Sequence, residues 1–516
     1  MSLRNSSGWS YHRGIPEICR EKVNILYRSA QLRRVPAQTV NFQKESLVRF
    51  QAVLDREYMG KEKDEQGLIV NYTEGNIMRQ MIRFAGPLFL CNFIQVIYNM
   101  VDIMVVGQVV GKAGLSGVTV GGDVLSFIMF IAVGFSNAGQ VVIAQHIGAG
   151  QREKIGRIVG NLFSFLFAAA VILTVVCLVF RTDILNFMNT PEEAWDSAYA
   201  YTAVCSTGLI FIYGYNAVSA VFRGLGDSKH PFFIIAGAAI LNVILDLLFV
   251  AVFGLGAGGA ALATVISQGV SFLLAILFLY KRKDRLGISI KAGDFIFDRE
   301  ILPILLKQGI PMAIRSAAIM FSKLIIDSRI NTYGVVASSV SGIEGKFNSV
   351  SNLFSNAVHA AVSTMIGQNI GAKNYSRVSK IILRAFLLVI VLISIIGALL
   401  LLFPDTIYSL FSSDAEVIEA CLLANPLMIV LCYGCAFRAP MNGFVAGTGN
   451  YKLNFVVAIL DAIVFRIGLA FLLGEALGMG WTGYLWGDAL SGFTPFFIGG
   501  VYYLSGSWKR KQYIIK

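Results

Sequence analysis

The sequence predicts an all-α membrane protein with twelve transmembrane helices in two six-helix lobes, related by a pseudo-twofold axis along the membrane normal. Three observations indicate this fold class: an apolar composition, a succession of apolar segments long enough to span a membrane, and a repeat between the two halves. The chain has 516 residues, of which 56% are hydrophobic and 14% charged, and its mean hydropathy is +0.66. Water-soluble domains of this length do not have such a composition.

Twelve segments reach the length of about 20 apolar residues that a helix needs to cross the hydrocarbon core. In the first half they cover 84–110, 115–146, 156–180, 197–222, 231–253 and 257–280. In the second half they cover 303–333, 338–370, 381–403, 416–445, 453–474 and 480–505. Several exceed the bilayer thickness, so we expect those helices to tilt or project from it.

An internal repeat relates the two halves. AQHIGAG at 144–150 returns as GQNIGAK at 367–373, and RGLGDSKHPF at 223–232 returns as AGTGNYKLNF at 446–455, both with an offset of 223 residues. A constant offset between separated motifs indicates a duplicated unit. Because each unit holds an even number of spans, the two halves have the same orientation, with a central cleft between them.

The predicted organisation has five parts: a polar cytoplasmic extension (1–75), an amino-terminal lobe (76–280), a cytoplasmic linker (281–302), a carboxy-terminal lobe (303–505) and a basic cytoplasmic tail (506–516). The extension has mixed charge and no visible signal peptide. The segment that starts at Met59, MGKEKDEQGLIVNYTEGN, is typical of a polar leader to the first span. We expect translation to start at Met59; a regulatory domain is the alternative, and the intact mass of the native protein distinguishes them.

Basic residues are concentrated in alternate short loops. They follow the second span (Arg152, Lys154, Arg157) and the sixth span (Lys281, Arg282, Lys283), and they recur in the tail. The intervening loops are nearly free of Lys and Arg and include acidic residues such as Asp183. The net charge of +12 therefore indicates orientation rather than nucleic-acid binding. The positive-inside rule predicts a multi-pass protein of the cell (inner) membrane with both termini in the cytoplasm.

Asp102 is the one charged residue in the first apolar span, 85–111. An ionised carboxylate at bilayer depth costs roughly 2.5 to 3.5 kcal/mol, so such groups usually face a cavity and mark an ion pathway. Asp246 repeats this arrangement in the fifth span, with Asn242 one helical turn earlier, and Thr264 of the sixth span supplies a hydroxyl. These oxygens suit a sodium ion or a proton. The alternative is that each acid is a packed, hydrogen-bonded structural group.

Pro87 lies near the start of the first span, fifteen residues before Asp102. Proline removes a backbone hydrogen bond and bends a helix interior, so Pro87 is a candidate hinge that moves Asp102. The alternative is a proline tolerated in an early helical turn.

The sequence resembles the multidrug and toxic compound extrusion (MATE) transporters, within a larger group that includes lipid-linked oligosaccharide flippases. The resemblance is carried in order by YNMVDIMVVGQVVG (98–111), AQHIGAG (144–150), FRGLGDSKHP (222–231) and LNVILD (241–246), and it extends from about residue 75 to 505. It implies two six-helix lobes forming a V and export driven by inward sodium or proton flow. It also implies a cation site in the amino-terminal lobe, at Asp102, Asn242, Asp246 and Thr264.

The carboxy-terminal lobe departs from another branch of that family, which places acids in spans seven and ten. Residues 312–322 and 420–460 contain neither Asp nor Glu. Instead the lobe carries several charged residues, for which the spacing predicts the pairs Lys323 with Asp327 and Glu344 with Lys346. A second hypothesis is that surplus bases bind an anionic or zwitterionic substrate group. The candidate cleft residues are Asp123, Arg315, Lys346 and Arg438.

These features predict a cation-coupled exporter of a small organic compound, amphipathic or anionic, that works by alternating access. We expect a monomer surrounded by membrane lipids, with the coupling ion as sole ligand besides the substrate and no cofactor. A flippase for a lipid-linked precursor is the close alternative. A membrane-embedded enzyme is disfavoured because the sequence has no H-E-x-x-H, G-x-S-x-G or Walker A motif. A channel fits a duplicated chain with intramembrane acids less well.

Overall fold

A computed structural model describes residues 69–283, 286 and 288–515. The predicted start at Met59 and most of the predicted extension 1–75 lie outside the described residues. Within the described ranges every regular element is helical and no β-strand occurs. We number the α-helices α1 to α18 in chain order.

The first half of the chain contains eight α-helices. They are α1 (Ile77–Val109), α2 (Lys112–Gly148), α3 (Ile155–Val179), α4 (Arg181–Phe187), α5 (Trp195–Thr207), α6 (Leu209–Gly224), α7 (Lys229–Asp246) and α8 (Gly256–Arg282). Short 3-10 turns at Arg152–Lys154 and Glu192–Ala194 precede α3 and α5. A third 3-10 turn, Ala292–Phe295, lies in the linker.

The second half contains ten α-helices. They are α9 (Ile301–Asn331), α10 (Val335–Gly371), α11 (Tyr375–Leu402), α12 (Pro404–Ser409), α13 (Ala415–Leu423), α14 (Asn425–Thr448), α15 (Tyr451–Ile459), α16 (Arg466–Phe471), α17 (Gly480–Ser491) and α18 (Thr494–Leu504). A 3-10 turn at Ser507–Lys509 follows α18.

The helices correspond to the twelve predicted spans. Among the described residues, nine helical segments are long and apolar enough to cross a membrane, or ten when α5 and α6, which meet at 49°, are counted as one span. The two other predicted spans are helical as well. The eighth lies in α10, which has 37 residues but carries many polar ones, and the twelfth is divided into α17 and α18. The predicted all-α membrane fold is confirmed.

Three π-helical segments interrupt spans for which the sequence predicts regular helix. Leu247–Val252 follows α7 directly after Asp246, and Leu460–Phe465 and Leu472–Ala476 lie on either side of α16. A π turn inserts an extra residue into the helical repeat and is frequent at functional sites. The first segment directly follows Asp246, the second contains Asp461 and the third contains Glu475.

Two large hydrophobic cores correspond to the two lobes. One is formed mainly by buried side chains between Ile326 and Trp508, and the other by side chains between Cys91 and Leu305. The two ends of the described chain pack into the core of the opposite lobe. Met81 and Phe84 at the start of α1 pack into the carboxy-terminal core, whereas Ile514 and Ile515 of the tail pack into the amino-terminal core.

Helices α2 and α10 meet in a contact that follows the sequence repeat. A Cβ atom on Gly148 would lie 1.9 Å from the backbone oxygen of Gln368, and a Cβ atom on Gly371 would lie 2.1 Å from that of Gln145. Gly148 corresponds to Gly371 in the repeat, and Gln145 corresponds to Gln368. The two halves therefore use equivalent residues against each other, as a pseudo-twofold axis between α2 and α10 requires, and glycine permits this close approach.

The segment 69–75, which precedes α1, links the two lobes at the same end. The backbone N–H of Val70 donates to the oxygen of Leu225 at 3.0 Å. Gln368 Nε2 donates to the oxygen of Val70 at 3.1 Å, and Arg377 Nε donates to the oxygen of Tyr72 at 2.9 Å. The lobes are thus packed against each other at the end of the bundle where the described chain begins and ends.

We predict that Gly148→Ala destabilises this closed end. The added methyl would overlap the Gln368 backbone oxygen, which cannot move aside as a flexible side chain does, so α2 and α10 must separate. The expected result is a lower thermal denaturation temperature in detergent, measured by tryptophan fluorescence. Gly237→Ala in α7 is the matched control because an added Cβ there meets no atom within 4 Å; equal effects of both substitutions would contradict the prediction.

Candidate functional site

Helix α7 places Asn242 and Asp246 one turn apart on one face, and the side chains are 2% and 0% exposed. Asp102 in α1 is 6% exposed. Helices α1 and α8 both pack against α7. From α8, Thr264 Oγ1 lies 3.5 Å from Asn242 Nδ2. The structure therefore brings the four predicted cation-site residues to neighbouring positions on three packed helices.

Several oxygens of this group are buried without a hydrogen-bond donor from the described residues. They are Asp102 Oδ1, Asn242 Oδ1 and both carboxylate oxygens of Asp246. A buried polar atom without a partner costs on the order of 1 to 3 kcal/mol, and a buried charge costs more. Oxygen atoms with this need are acceptors for a proton or ligands for a hard cation such as sodium. In the described part of the chain, both carboxylate oxygens of Asp246 and one of Asp102 lack the hydrogen bonds that the structural alternative predicts.

A cavity of about 750 Å³ lies between the lobes. Its wall from the amino-terminal lobe is mostly apolar and amide-rich, with one base, Arg223. Its other residues include Leu88, Asn92, Gln95, Asn99, Met129, Phe130, Asn137, Ile212, Asn216 and Gln268. Its wall from the carboxy-terminal lobe includes Arg315, Lys323, Asn348, Asn352, His359, Arg438, Asn442 and Arg466. The size is that of a pocket for a drug-sized molecule.

Tyr98 and Gln268 connect the cavity to the candidate cation site. Both line the large cavity, and both also line a small recess that includes Asn242 and Thr264. Sequence reasoning did not single them out. The signal was present, because Tyr98 precedes Asp102 by four residues and Gln268 follows Thr264 by four, which places each pair on one helix face.

The carboxy-terminal lobe contains an alternating chain of six charged side chains. In spatial order they are Arg315, Asp461, Arg466, Asp488, Lys323 and Glu344. They come from α9, α10, α16, α17 and the π segment between α15 and α16. We call this group the charge ladder. Three bases alternate with three acids, so the ladder is neutral when every member is ionised.

The ladder is held by short contacts between helices. Asp461 Oδ2 lies 3.1 Å from Arg315 Nη2, and Asp461 Oδ1 lies 3.4 Å from Arg466 Nη2. Arg466 also pairs with Asp488. Lys323 Nζ then lies 3.5 Å from Asp488 Oδ2 and 3.0 Å from Glu344 Oε2. Because Arg466, Asp461 and Asp488 are nearly inaccessible, their charges depend on one another for stabilisation.

Two ion pairs predicted from the sequence are wrong. Lys323 does not pair with Asp327, which accepts a hydrogen bond from Ser341 at 2.8 Å, but with Glu344 of the neighbouring helix. Glu344 consequently does not pair with Lys346. Spacing within one helix gave the wrong partners because helix packing brings Lys323 to buried carboxylates on two other helices, α10 and α17.

Two of the four candidate cleft residues line the cavity, and two do not. Arg315 and Arg438 line the cavity. Lys346 and Asp123 are exposed side chains outside its lining. Lys346 is two residues before Asn348, which lines the cavity, and two residues turn a helical side chain to the opposite face. Asp123 lies one helical turn before Ser126, the first cavity-lining residue of α2.

Pro87 lies inside α1, eleven positions into a helix of 33 residues, so it does not occupy the first turn. Its counterpart Pro311 lies inside α9 and lines the cavity. Sequence reasoning overlooked Pro311, although it stands at a similar point of the seventh span. Both lobes thus begin with a long helix that lacks one internal backbone hydrogen bond.

Comparison with known proteins identifies the family. The MatE family profile matches residues 87–248 and 311–472, once in each half. A probable multidrug resistance protein of Bacillus subtilis (strain 168), YoeA, is 28% identical over 449 residues, which cover 85% of this chain and 95% of that protein. Another from the same organism, YpnP, is 31% identical over 319 residues, which cover 60% of this chain and 68% of that protein.

Solved structures of similar fold include two transporters of the MOP superfamily. An outward-facing multidrug resistance MATE family transporter has a TM-score of 0.78 at 22% identity and covers 86% of this chain and 99% of its own. A transporter from Pyrococcus furiosus, described as having a binding pocket of reverse polarity, has a TM-score of 0.79 at 22% identity with the same coverage. Because the family profile matches both halves over most of their length, the chain belongs to the MatE family of multidrug efflux transporters.

Proposed function

We propose that the protein is an antiporter that exports small organic compounds and couples this export to inward movement of a proton or sodium ion. The observation that carries the proposal is the group of buried oxygens without donors at Asp102, Asn242 and Asp246, next to a cavity of drug-like volume. The relatives named as multidrug resistance proteins support an organic substrate.

The wall shared by the cavity and the candidate cation site supports coupling between ion and substrate. Tyr98 and Gln268 face both the cavity and the recess at Asn242 and Thr264. Cation binding that draws Asp102 and Asp246 together would therefore shift side chains that a substrate contacts. The π segment that begins after Asp246 and Pro87 within α1 give these two helices places to bend.

The loop charges bear on the orientation of the protein in the membrane. We propose that the closed end, with segment 69–75 and the tail, faces the cytoplasm of a cell (inner) membrane, as the positive-inside rule favours. The packed lobes then represent an outward-facing state in which substrate leaves and the ion enters. Transport requires a second state in which the contact of Gly148 and Gly371 is separated. A monomer is sufficient for this cycle, because cavity and cation site lie within one chain.

The energetics suffice for export against a gradient. One charge moving inward gains about 2.3 kcal/mol per 100 mV. Each tenfold substrate gradient requires roughly 1.4 kcal/mol. One proton or sodium ion per substrate therefore sustains a gradient of one to two orders of magnitude.

Counterflow in proteoliposomes tests the transport function. Liposomes preloaded with unlabelled rhodamine 123 or fluorescein are diluted into the same labelled dye, and we expect transient accumulation of at least one label. A channel equilibrates the label without accumulation, and an enzyme converts the dye. Either result, obtained with both dyes, would contradict the proposal.

A flippase for a lipid-linked precursor is the second candidate, favoured by the basic side chains in the carboxy-terminal wall of the cavity. A flippase binds the phosphate head in the cavity and leaves the chain in lipid. Translocation of a fluorescent polyprenyl phosphate, with no counterflow of either dye, would favour this candidate over the antiporter.

A further inference from the structure

The central cavity has an uneven distribution of charge. Five basic side chains line it, namely Arg223, Arg315, Lys323, Arg438 and Arg466, whereas no Asp or Glu of the described residues does. The buried acids of the carboxy-terminal lobe, Glu344, Asp461 and Asp488, contact these bases from outside the cavity lining. The acids of the candidate cation site lie on the amino-terminal side of the cavity, also outside its lining. A substrate in the cavity therefore meets basic groups directly and acidic groups only through other side chains.

The charge ladder neutralises three of these five bases. Arg315, Lys323 and Arg466 each contact at least one ladder carboxylate. Asp327, one turn from Lys323, is outside the cavity lining and accepts a hydrogen bond from Ser341. Of the five bases that line the cavity, two have no carboxylate contact in the described part of the chain. They are Arg438 and Arg223.

Arg223 takes part in the packing between the lobes at the closed end. Its Nε donates to Gln140 Oε1 at 2.7 Å and its Nη1 donates to Ser219 Oγ at 2.6 Å. Its backbone oxygen accepts from Thr364 of the other lobe at 3.2 Å. These contacts tie Arg223 to the packing of the lobes, so it is the weaker candidate for binding a ligand.

Arg438 is oriented but not neutralised. Its Nη2 donates to Asn352 Oδ1 at 2.6 Å and lies 3.4 Å from Cys435 Sγ. Asn352 Nδ2 in turn donates to Asn348 Oδ1 at 2.7 Å. The contacts engage one edge of the guanidinium through neutral partners, and the side chain is only half-buried at the cavity surface. A guanidinium held this way can offer its remaining N–H groups to a bidentate anion.

We propose that Arg438 binds the carboxylate, sulfonate or phosphate group of an amphipathic substrate, whose apolar body lies against Leu88, Met129 and Phe130 on the opposite wall. The proposal rests on the transport function proposed above and names its substrate class. The neutral ladder supports this role because it adds no free negative charge near Arg438. A charged hydrogen bond of this kind typically strengthens binding roughly tenfold to a hundredfold.

Equilibrium binding of two dyes of similar shape tests the proposal. Fluorescein is an anion and rhodamine 123 a cation, and both are measured by fluorescence anisotropy with purified protein in nanodiscs, without an ion gradient. We expect fluorescein to bind more tightly than rhodamine 123. Arg438→Gln should weaken fluorescein binding roughly tenfold to a hundredfold, whereas Arg438→Lys should retain part of it. Arg384→Gln is the control, since Arg384 is an exposed base of the same lobe.

Three outcomes would overturn the proposal: tighter binding of rhodamine 123, unchanged fluorescein affinity in Arg438→Gln, or equal loss in Arg384→Gln. Competition separates the two sources of such an anion. Displacement of fluorescein by phenyl phosphate supports a free organic anion, displacement by dodecyl phosphate alone supports a lipid phosphate, and both support the site at Arg438. Because no gradient is applied, loss of coupled transport in cation-site variants leaves this test unaffected.

Discussion

Replacing Asp102 or Asp246 with asparagine should abolish coupled efflux while the protein remains folded in the membrane. Asparagine keeps the shape of the side chain but removes the charge that we propose binds a proton or cation. Without it, the free energy of about 2.3 kcal/mol per 100 mV cannot be transferred to the substrate. In the wild-type protein we expect an exported dye to accumulate in proteoliposomes by one to two orders of magnitude. In either variant the accumulation ratio should fall to about one.

Asp183→Asn is the matched control for this prediction. Asp183 is an exposed acid in the short helix α4, outside both the cavity and the candidate cation site. Its variant should keep wild-type efflux. Retention of wild-type efflux by both Asp102→Asn and Asp246→Asn would remove the coupling role of the amino-terminal lobe.

Asp461→Asn should reduce the stability of the carboxy-terminal lobe, because it breaks the charge ladder at a buried acid. Asp461 is fully buried and contacts both Arg315 and Arg466. Removing one partner of a buried ion pair leaves an uncompensated charge, which typically costs roughly 3 to 5 kcal/mol. Unfolding by sodium dodecyl sulfate in mixed micelles measures the free energy of unfolding.

A second substitution distinguishes lost charge balance from poor packing. The double variant Asp461→Asn with Arg315→Gln removes one acid and one base, and the remaining ladder is again neutral. We expect it to recover part of the lost stability. Asp405→Asn, at an exposed site in α12, should have no effect. If the double variant is less stable than Asp461→Asn alone, charge pairing is not what stabilises this region.

The fold was predictable from the sequence because bilayer thickness and the repeat leave few alternatives. Helix interruptions were less predictable. The twelfth span is divided between Ser491 and Thr494, and the π segment after Asp246 gives no hydropathy signal. Breaks of this kind depend on contacts with neighbouring helices, which the apolar pattern of a single segment does not record.

The two sides of the candidate site differed in how well sequence predicted them. Asn242 and Asp246 share a helix face by local spacing, so their proximity followed from the sequence alone. The partners in the charge ladder come from distant segments, such as Lys323 with Glu344 and Arg315 with Asp461, which local spacing cannot identify. The prediction that Lys346 lines the cleft was also wrong, for a local reason: its side chain lies on the helix face opposite to Asn348.

The most direct test of the central claim is substrate-triggered ion release from purified protein in nanodiscs. Adding a transported dye to weakly buffered protein should release protons, recorded by a pH indicator, or sodium, recorded by a sodium-sensitive dye. We predict release that saturates with substrate in the wild-type protein and is absent in Asp102→Asn and Asp246→Asn. Release of equal size from both variants would show that the coupling cation binds elsewhere.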